Sequence, residues 1–103
     1  MLEAGKLYLC EEYFLLLYPD PETAATASTC DPSPTEFVRC RTAAVTEGLA
    51  AYWSKRFEKP FYYTEKKVPF LVLNNKKEYI EVLAGDKKGW IMVRDGLGIK
   101  EIQ

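Results

Sequence analysis

The last 36 residues, Val68 to Gln103, alternate apolar runs with turn signals: VPFLVL, NNKK, EYIEVL, AGDKKG, WIMVRD, GLG and IKEI. Short runs of β-branched, aromatic and aliphatic residues, separated by clusters of Gly, Asn, Asp and Lys, describe an antiparallel meander. In EYIEVL, side chains alternate across the strand, so Ile80 and Val82 share one face while Tyr79, Glu81 and Leu83 share the other. In WIMV, Ile91 and Val93 match the first set, leaving Trp90 and Met92 on the opposite face.

Upstream, Lys6 to Tyr18 reads KLYLCEEYFLLLY, and the glutamates Glu11 and Glu12 divide it into two short strands or one bulged strand. Pro19 ends that segment. Asp20 then stands as a helix N-cap with Pro21 at the first helical position, and TAATAS continues for a turn or two. CDPSPT, from Cys30 to Thr35, is a loop by composition.

A main helix follows. Its start has two candidate signals, the capping-box spacing Ser33, Pro34, Thr35, Glu36 and the hydroxyl of Thr42. Val45, Leu49, Tyr52 and Trp53 fall on one helical face, which places Trp53 in the core. Gly48 weakens the helix by about 1 kcal/mol relative to alanine. Lys55 and Arg56 complement its dipole at the C-terminal end, and Pro60 bars extension. Phe61 to Thr64 then reads as a strand, followed by the charged turn Glu65, Lys66, Lys67.

With 103 residues, the chain is the length of one domain, 1–103, able to bury roughly two-thirds of its unfolded surface. An apolar fraction of 48% with 14% aromatics supplies a core without crosslinks. No run approaches the roughly 20 apolar residues that span a bilayer, and MLEAGK lacks the features of a signal peptide; the expectation is a cytoplasmic protein with no membrane partner. Cys10, Cys30 and Cys40 are odd in number and widely spaced, and there is no histidine, so neither a disulfide framework nor a metal site is expected. Cys10 reads as a small apolar strand residue.

The absence of histidine also removes the usual general base and the usual activator of a nucleophilic thiol. Gly96, Leu97 and Gly98 do not precede a helix, so they form no phosphate cradle. No cofactor and no catalytic residue is assigned. Net charge is −1 but uneven, with residues 1–51 carrying about −5 and residues 52–103 about +4. The pairs Lys66 and Lys67, Lys76 and Lys77, and Lys87 and Lys88 fall at three turn-like sites. Beside Tyr62, Tyr63, Tyr79 and Trp90, they offer phosphate contacts and stacking platforms for single-stranded nucleic acid. The competing reading is that these lysines keep turns soluble and guard strand edges.

Glu78 to Ile102 resembles the second half of an SH3 or SH3-like small barrel: a strand of the type IEVL, a polar loop, a hairpin opening with Gly89 and Trp90, a tight turn at Asp95 and Gly96, and the closing strand IKEI. Leu7 and Tyr8, with Tyr13 beyond, stand where that family has its first aromatic strand. The resemblance implies an α+β architecture: a small SH3-like antiparallel β-barrel or bent sheet, with one main helix and a second short one inserted after the first strand. It further implies that Trp90, Tyr8 and Tyr13 line a groove for proline-rich peptides. The chain lacks that family's closing proline and tyrosine, since Leu97, Gly98 and Ile99 stand there instead.

The stripe of Trp90, Met92 and Tyr79 has two outcomes: the main helix covers it, or it stays exposed as a contact surface. The expected function is a non-catalytic protein-interaction or accessory domain presenting Trp90, Met92, Tyr79, Tyr8 and Tyr13. Its expected partners are proteins, including a second copy through a sheet edge, and the alternative is a single-stranded nucleic-acid-binding barrel using the lysine turns.

Overall fold

The computed structural model describes residues 2–27, 42–93 and 98–102, and within them holds seven strands and two helices. In chain order these are β1 (Leu7–Cys10), β2 (Leu15–Leu17), α1 (Pro21–Ala27), α2 (Ala43–Phe57), β3 (Tyr62–Thr64), β4 (Phe70–Lys76), β5 (Tyr79–Ala84), β6 (Lys87–Met92) and β7 (Ile99–Glu101). The fold is α+β. Cys30, Cys40, the cap candidate at residues 33–36 and the turn at Asp95 and Gly96 lie outside the described residues.

The meander forms the body of a five-stranded antiparallel sheet in the order β6-β5-β4-β1-β7. Its register sets Ile80 against Ile91 and Val82 against both Val72 and Gly89. Side-chain alternation puts Tyr8, Cys10, Phe70, Val72, Ile80, Val82 and Ile91 into a single apolar cluster. The end strands β6 and β7 do not pair with each other among the described residues, so the sheet is open rather than a closed barrel.

Two strand limits differ from the sequence reading. Asn74, Asn75 and Lys76 belong to β4, because a register shift after Val72 lets them pair with Glu81, Ile80 and Tyr79. Lys87 and Lys88 belong to β6, because the turn of Gly85 and Asp86 is only two residues long and pairing resumes at Ala84 with Lys87. Composition marks such residues as polar, but not that a partner strand lies beside them.

The segment from Lys6 to Tyr18 resolves into two strands. β1 joins the large sheet, whereas β2 pairs with β3 in a separate two-stranded sheet. All three leucines of β2 are buried, which matches a strand covered on both faces. β2 also meets β6: Tyr18 and Trp90 exchange two backbone hydrogen bonds of 2.8 Å each. Gly89 permits this approach, since a Cβ there would lie 2.6 Å from the Leu17 Cβ.

The helices start as their capping residues dictate. Asp20 Oδ1 accepts from the Thr23 backbone N–H at 2.6 Å, and the Thr42 hydroxyl accepts from Val45 N–H at 3.3 Å. α2 ends on Glu58 in the left-handed conformation. Its buried stripe is Thr46, Ala50 and Trp53, with Leu49 and Phe57 partly covered. Val45 and Tyr52, expected on that face, are 55% and 48% exposed. The helix is rotated from its apolar pattern because Thr46 satisfies its own hydroxyl by donating to the Thr42 carbonyl, and Ala50 lets the helix sit close.

Candidate functional site

The aromatic surface expected from the sequence is core. Tyr8, Tyr13, Met92 and Trp90 are 4%, 5%, 5% and 9% exposed, and only Tyr79 is half-buried. The Tyr8 ring stacks on Phe70, and its hydroxyl accepts from Glu3 N–H. The rings assigned to a proline-rich ligand are therefore not available to one. The stripe of Trp90 and Met92 is covered, with β2 and α1 packed on β6, while α2 packs on β2 and β3. Trp53 is fully buried, as its place on the helix required.

The lysines divide between ends of the sheet. Lys76 and Lys77 stand at one end of β5 and Lys87 and Lys88 at the other, roughly 17 Å apart along a six-residue strand. Lys66, Lys76 and Lys87 each rest on a ring, those of Phe14, Trp90 and Tyr62, at 5.6, 5.5 and 4.7 Å from the centroid. Lys88 Nζ is 4.0 Å from a Glu81 oxygen. Lys67 occupies a left-handed turn position and donates its backbone N–H to the Cys10 carbonyl.

What the sequence did not reveal is an open groove of about 480 Å³ between α2 and β3. Glu47, Ala51 and Ser54, spaced four and three residues apart, form its helical wall together with Ala50. Small side chains on that stripe leave the space unfilled. The other wall is Phe61, Tyr62 and Tyr63. The lining holds both Tyr62 and Tyr63, neighbours whose side chains take opposite faces of β3. One edge of that strand is open, since β3 pairs with β2 alone among the described residues.

The walls are tied together at both ends. The Phe61 backbone N–H donates to Ser54 Oγ at 2.9 Å, and the Tyr63 hydroxyl donates to Glu47 Oε1 at 2.7 Å. The bond to Glu47 holds the Tyr63 phenol above its ordinary range; burial adds to this, as do the charges of Glu47 and Glu65. Glu65 also lines the groove and acts on the Tyr63 phenol, and Lys87, on the same lining, rests over the Tyr62 ring. The groove thus combines apolar walls with two carboxylates and one lysine among its described lining residues.

The groove offers ring faces, a hydroxyl and two carboxylates at the mouth of an apolar slot, within the range of about 300 to 1,000 Å³ common for ligand sites. Among the described residues no group of three or more His, Cys, Asp or Glu side chains is placed to hold a metal ion, and no helix is long and apolar enough to cross a membrane. No protein-family model, no curated protein and no solved structure matches the chain.

One further surface was missed in the sequence. The register aligns Leu7, Leu71 and Leu83 across β1, β4 and β5, on the outer face of the large sheet. Leu7 and Leu83 are 44% and 36% exposed. Strand alternation marked Leu83 as facing away from the core, but only the pairing reveals that three leucines form a row.

Proposed function

We propose that this domain is a non-catalytic protein-interaction module that takes an extended peptide segment in the groove between α2 and β3. The observation that carries the reading is the coincidence of an open strand edge with an apolar slot: the backbone of β3 can pair with an added strand while Phe61, Tyr62, Tyr63 and Ala51 accept its side chains. In this mode main-chain hydrogen bonds supply affinity, and pockets for alternate side chains supply selectivity. The SH3-like reading of the strands remains part of the proposal, supported by a β5–β6 hairpin followed by a closing strand in the order that the resemblance implies.

The alternative, binding of single-stranded nucleic acid, has weaker support. Bases need open ring faces, and the lysines that would meet phosphates instead lie across Phe14, Trp90 and Tyr62.

The test is selection of a degenerate seven-residue peptide library on the protein and on Ala51→Trp, a variant whose added bulk fills the slot from an exposed helix position. The reading expects clones that bind the parent protein and not the variant. Recovery of clones indifferent to the substitution, or of none, contradicts it.

A further inference from the structure

Carboxylates outnumber cations on the described lining of the groove, and two of them act on Tyr63. Glu47 bonds the Tyr63 hydroxyl and Glu65 acts on the same phenol, while among the described lining residues the one cation is Lys87, which rests on the Tyr62 ring. The Glu47 carboxylate is oriented rather than loose, because one of its oxygens accepts the Tyr63 hydroxyl and the other remains available to a second donor. The response of the Tyr63 phenol to both carboxylates agrees with a negative potential beside it.

We infer that the groove recognises a lysine or arginine side chain of the added segment, its stem along the tyrosine rings and its charged end between Glu47 and Glu65. This rests on the reading of the groove as a peptide site and adds the chemistry of the residue it takes. Lysine and arginine combine an apolar stem with a cationic tip, so one side chain meets both the slot and its acidic mouth. The chain supplies the same contact internally: Lys87 Nζ sits 4.7 Å from the centroid of the Tyr62 ring. A carboxylate at the same place would face two like charges, with Lys87 already engaged on the Tyr62 ring. Norleucine would fill the slot and leave Glu47 and Glu65 in water.

The experiment uses three labelled seven-residue peptides, Thr-Val-Thr-X-Thr-Val-Thr with X as lysine, norleucine or glutamate, titrated by fluorescence anisotropy at low and moderate salt. The lysine peptide is expected to bind about fivefold tighter than the norleucine peptide, with glutamate weakest, and the advantage is expected to shrink with salt. In the double variant Glu47→Gln, Glu65→Gln, which keeps side-chain shape and the acceptor for Tyr63, lysine and norleucine are expected to bind alike. Equal binding of lysine and norleucine to the parent protein, with both lost in Ala51→Trp, would overturn the charge selection and leave the peptide site standing. If none of the three binds better to the parent than to Ala51→Trp, the peptide site fails and this inference with it.

Discussion

The Tyr63 hydroxyl donates a 2.7 Å hydrogen bond to Glu47 Oε1 and so ties the edge strand β3 to the helix α2 that faces it. That contact joins residues 16 positions apart, both of them on the lining of the groove. It also couples the groove to pH. A phenol whose folded pKa is raised contributes stability that is fully present below its unfolded value, near 10, and is lost as pH rises through the folded value.

The corresponding prediction concerns tyrosine titration. The Tyr63 phenol should ionise above the ordinary range, and ultraviolet difference titration should lose that phase in Tyr63→Phe. In Glu47→Gln it should move back toward 10. Because the bond is exposed, Tyr63→Phe should cost at most about 1 kcal/mol of stability by denaturant unfolding. An unchanged titration in Tyr63→Phe would contradict the geometry.

Two glycines should respond to alanine in opposite directions. Gly89 faces the Leu17 Cβ and the Tyr18 carbonyl, so Gly89→Ala forces β2 off β6 and should cost about 1 to 3 kcal/mol. Gly48 lies within α2 with open space around it, so Gly48→Ala should stabilise by about 1 kcal/mol. Thermal melts of the two variants decide the matter, and a neutral or stabilising Gly89→Ala would argue against the close approach of Leu17 and Tyr18 to β6.

Both tryptophans are placed beyond solvent. The emission of the protein should be blue-shifted and only weakly quenched by acrylamide, in contrast to a surface Trp90. Trp53→Ala should cost about 3 to 5 kcal/mol, because α2 loses its largest buried side chain. Strong quenching in the Trp53→Phe variant, where Trp90 alone emits, would restore Trp90 to the surface.

Much of the architecture could be read from patterns of short range. The hairpin of β5 and β6, the caps at Asp20 and Thr42, the strand of Tyr62 to Thr64 and the burial of Cys10 and Trp53 follow from alternation, capping chemistry and turn residues close to them in sequence. The placement of Trp90 and Met92 did not follow, because alternation tells which face a side chain takes and not what lies on that face. β2 and α1, more than sixty residues upstream, lie against β6, where Tyr18 exchanges backbone hydrogen bonds with Trp90. The rotation of α2 was hidden for a related reason: Thr46 counts as polar until its hydroxyl is seen to bond within the helix. The groove itself is made by what is small, Ala50, Ala51 and Ser54, and by two tyrosines pointing opposite ways, and no spacing rule marks such a combination.

At the other end of the chain's helical region, Asp20 caps α1 and receives Lys59 Nζ at 2.9 Å. Burial pushes the Asp20 carboxyl up, but the hydrogen bonds from Lys59 and Thr23 and the lysine charge outweigh it and hold the group below its ordinary range. A depressed folded pKa contributes stability that is present above the unfolded value, near 3.9, and lost as pH falls through the folded value. Asp20→Ala should therefore cost about 0.5 to 2 kcal/mol at neutral pH and progressively less below pH 4. Unfolding curves of both proteins between pH 7 and pH 2 test this, and a constant difference across that range would contradict it.

The most direct test of the groove as the working surface is a ¹H–¹⁵N correlation spectrum of the labelled protein, titrated first with a peptide recovered by selection and then with a mixed-sequence single-stranded oligonucleotide. The peptide should shift Ala51, Ser54, Tyr62, Tyr63 and Lys87, with the backbone amides of β3 gaining protection from exchange, and the oligonucleotide should shift none of them. Peptide-induced shifts confined to the leucine row of Leu7, Leu71 and Leu83, or oligonucleotide shifts on Lys66, Lys76 and Lys87, would contradict the groove as the working surface.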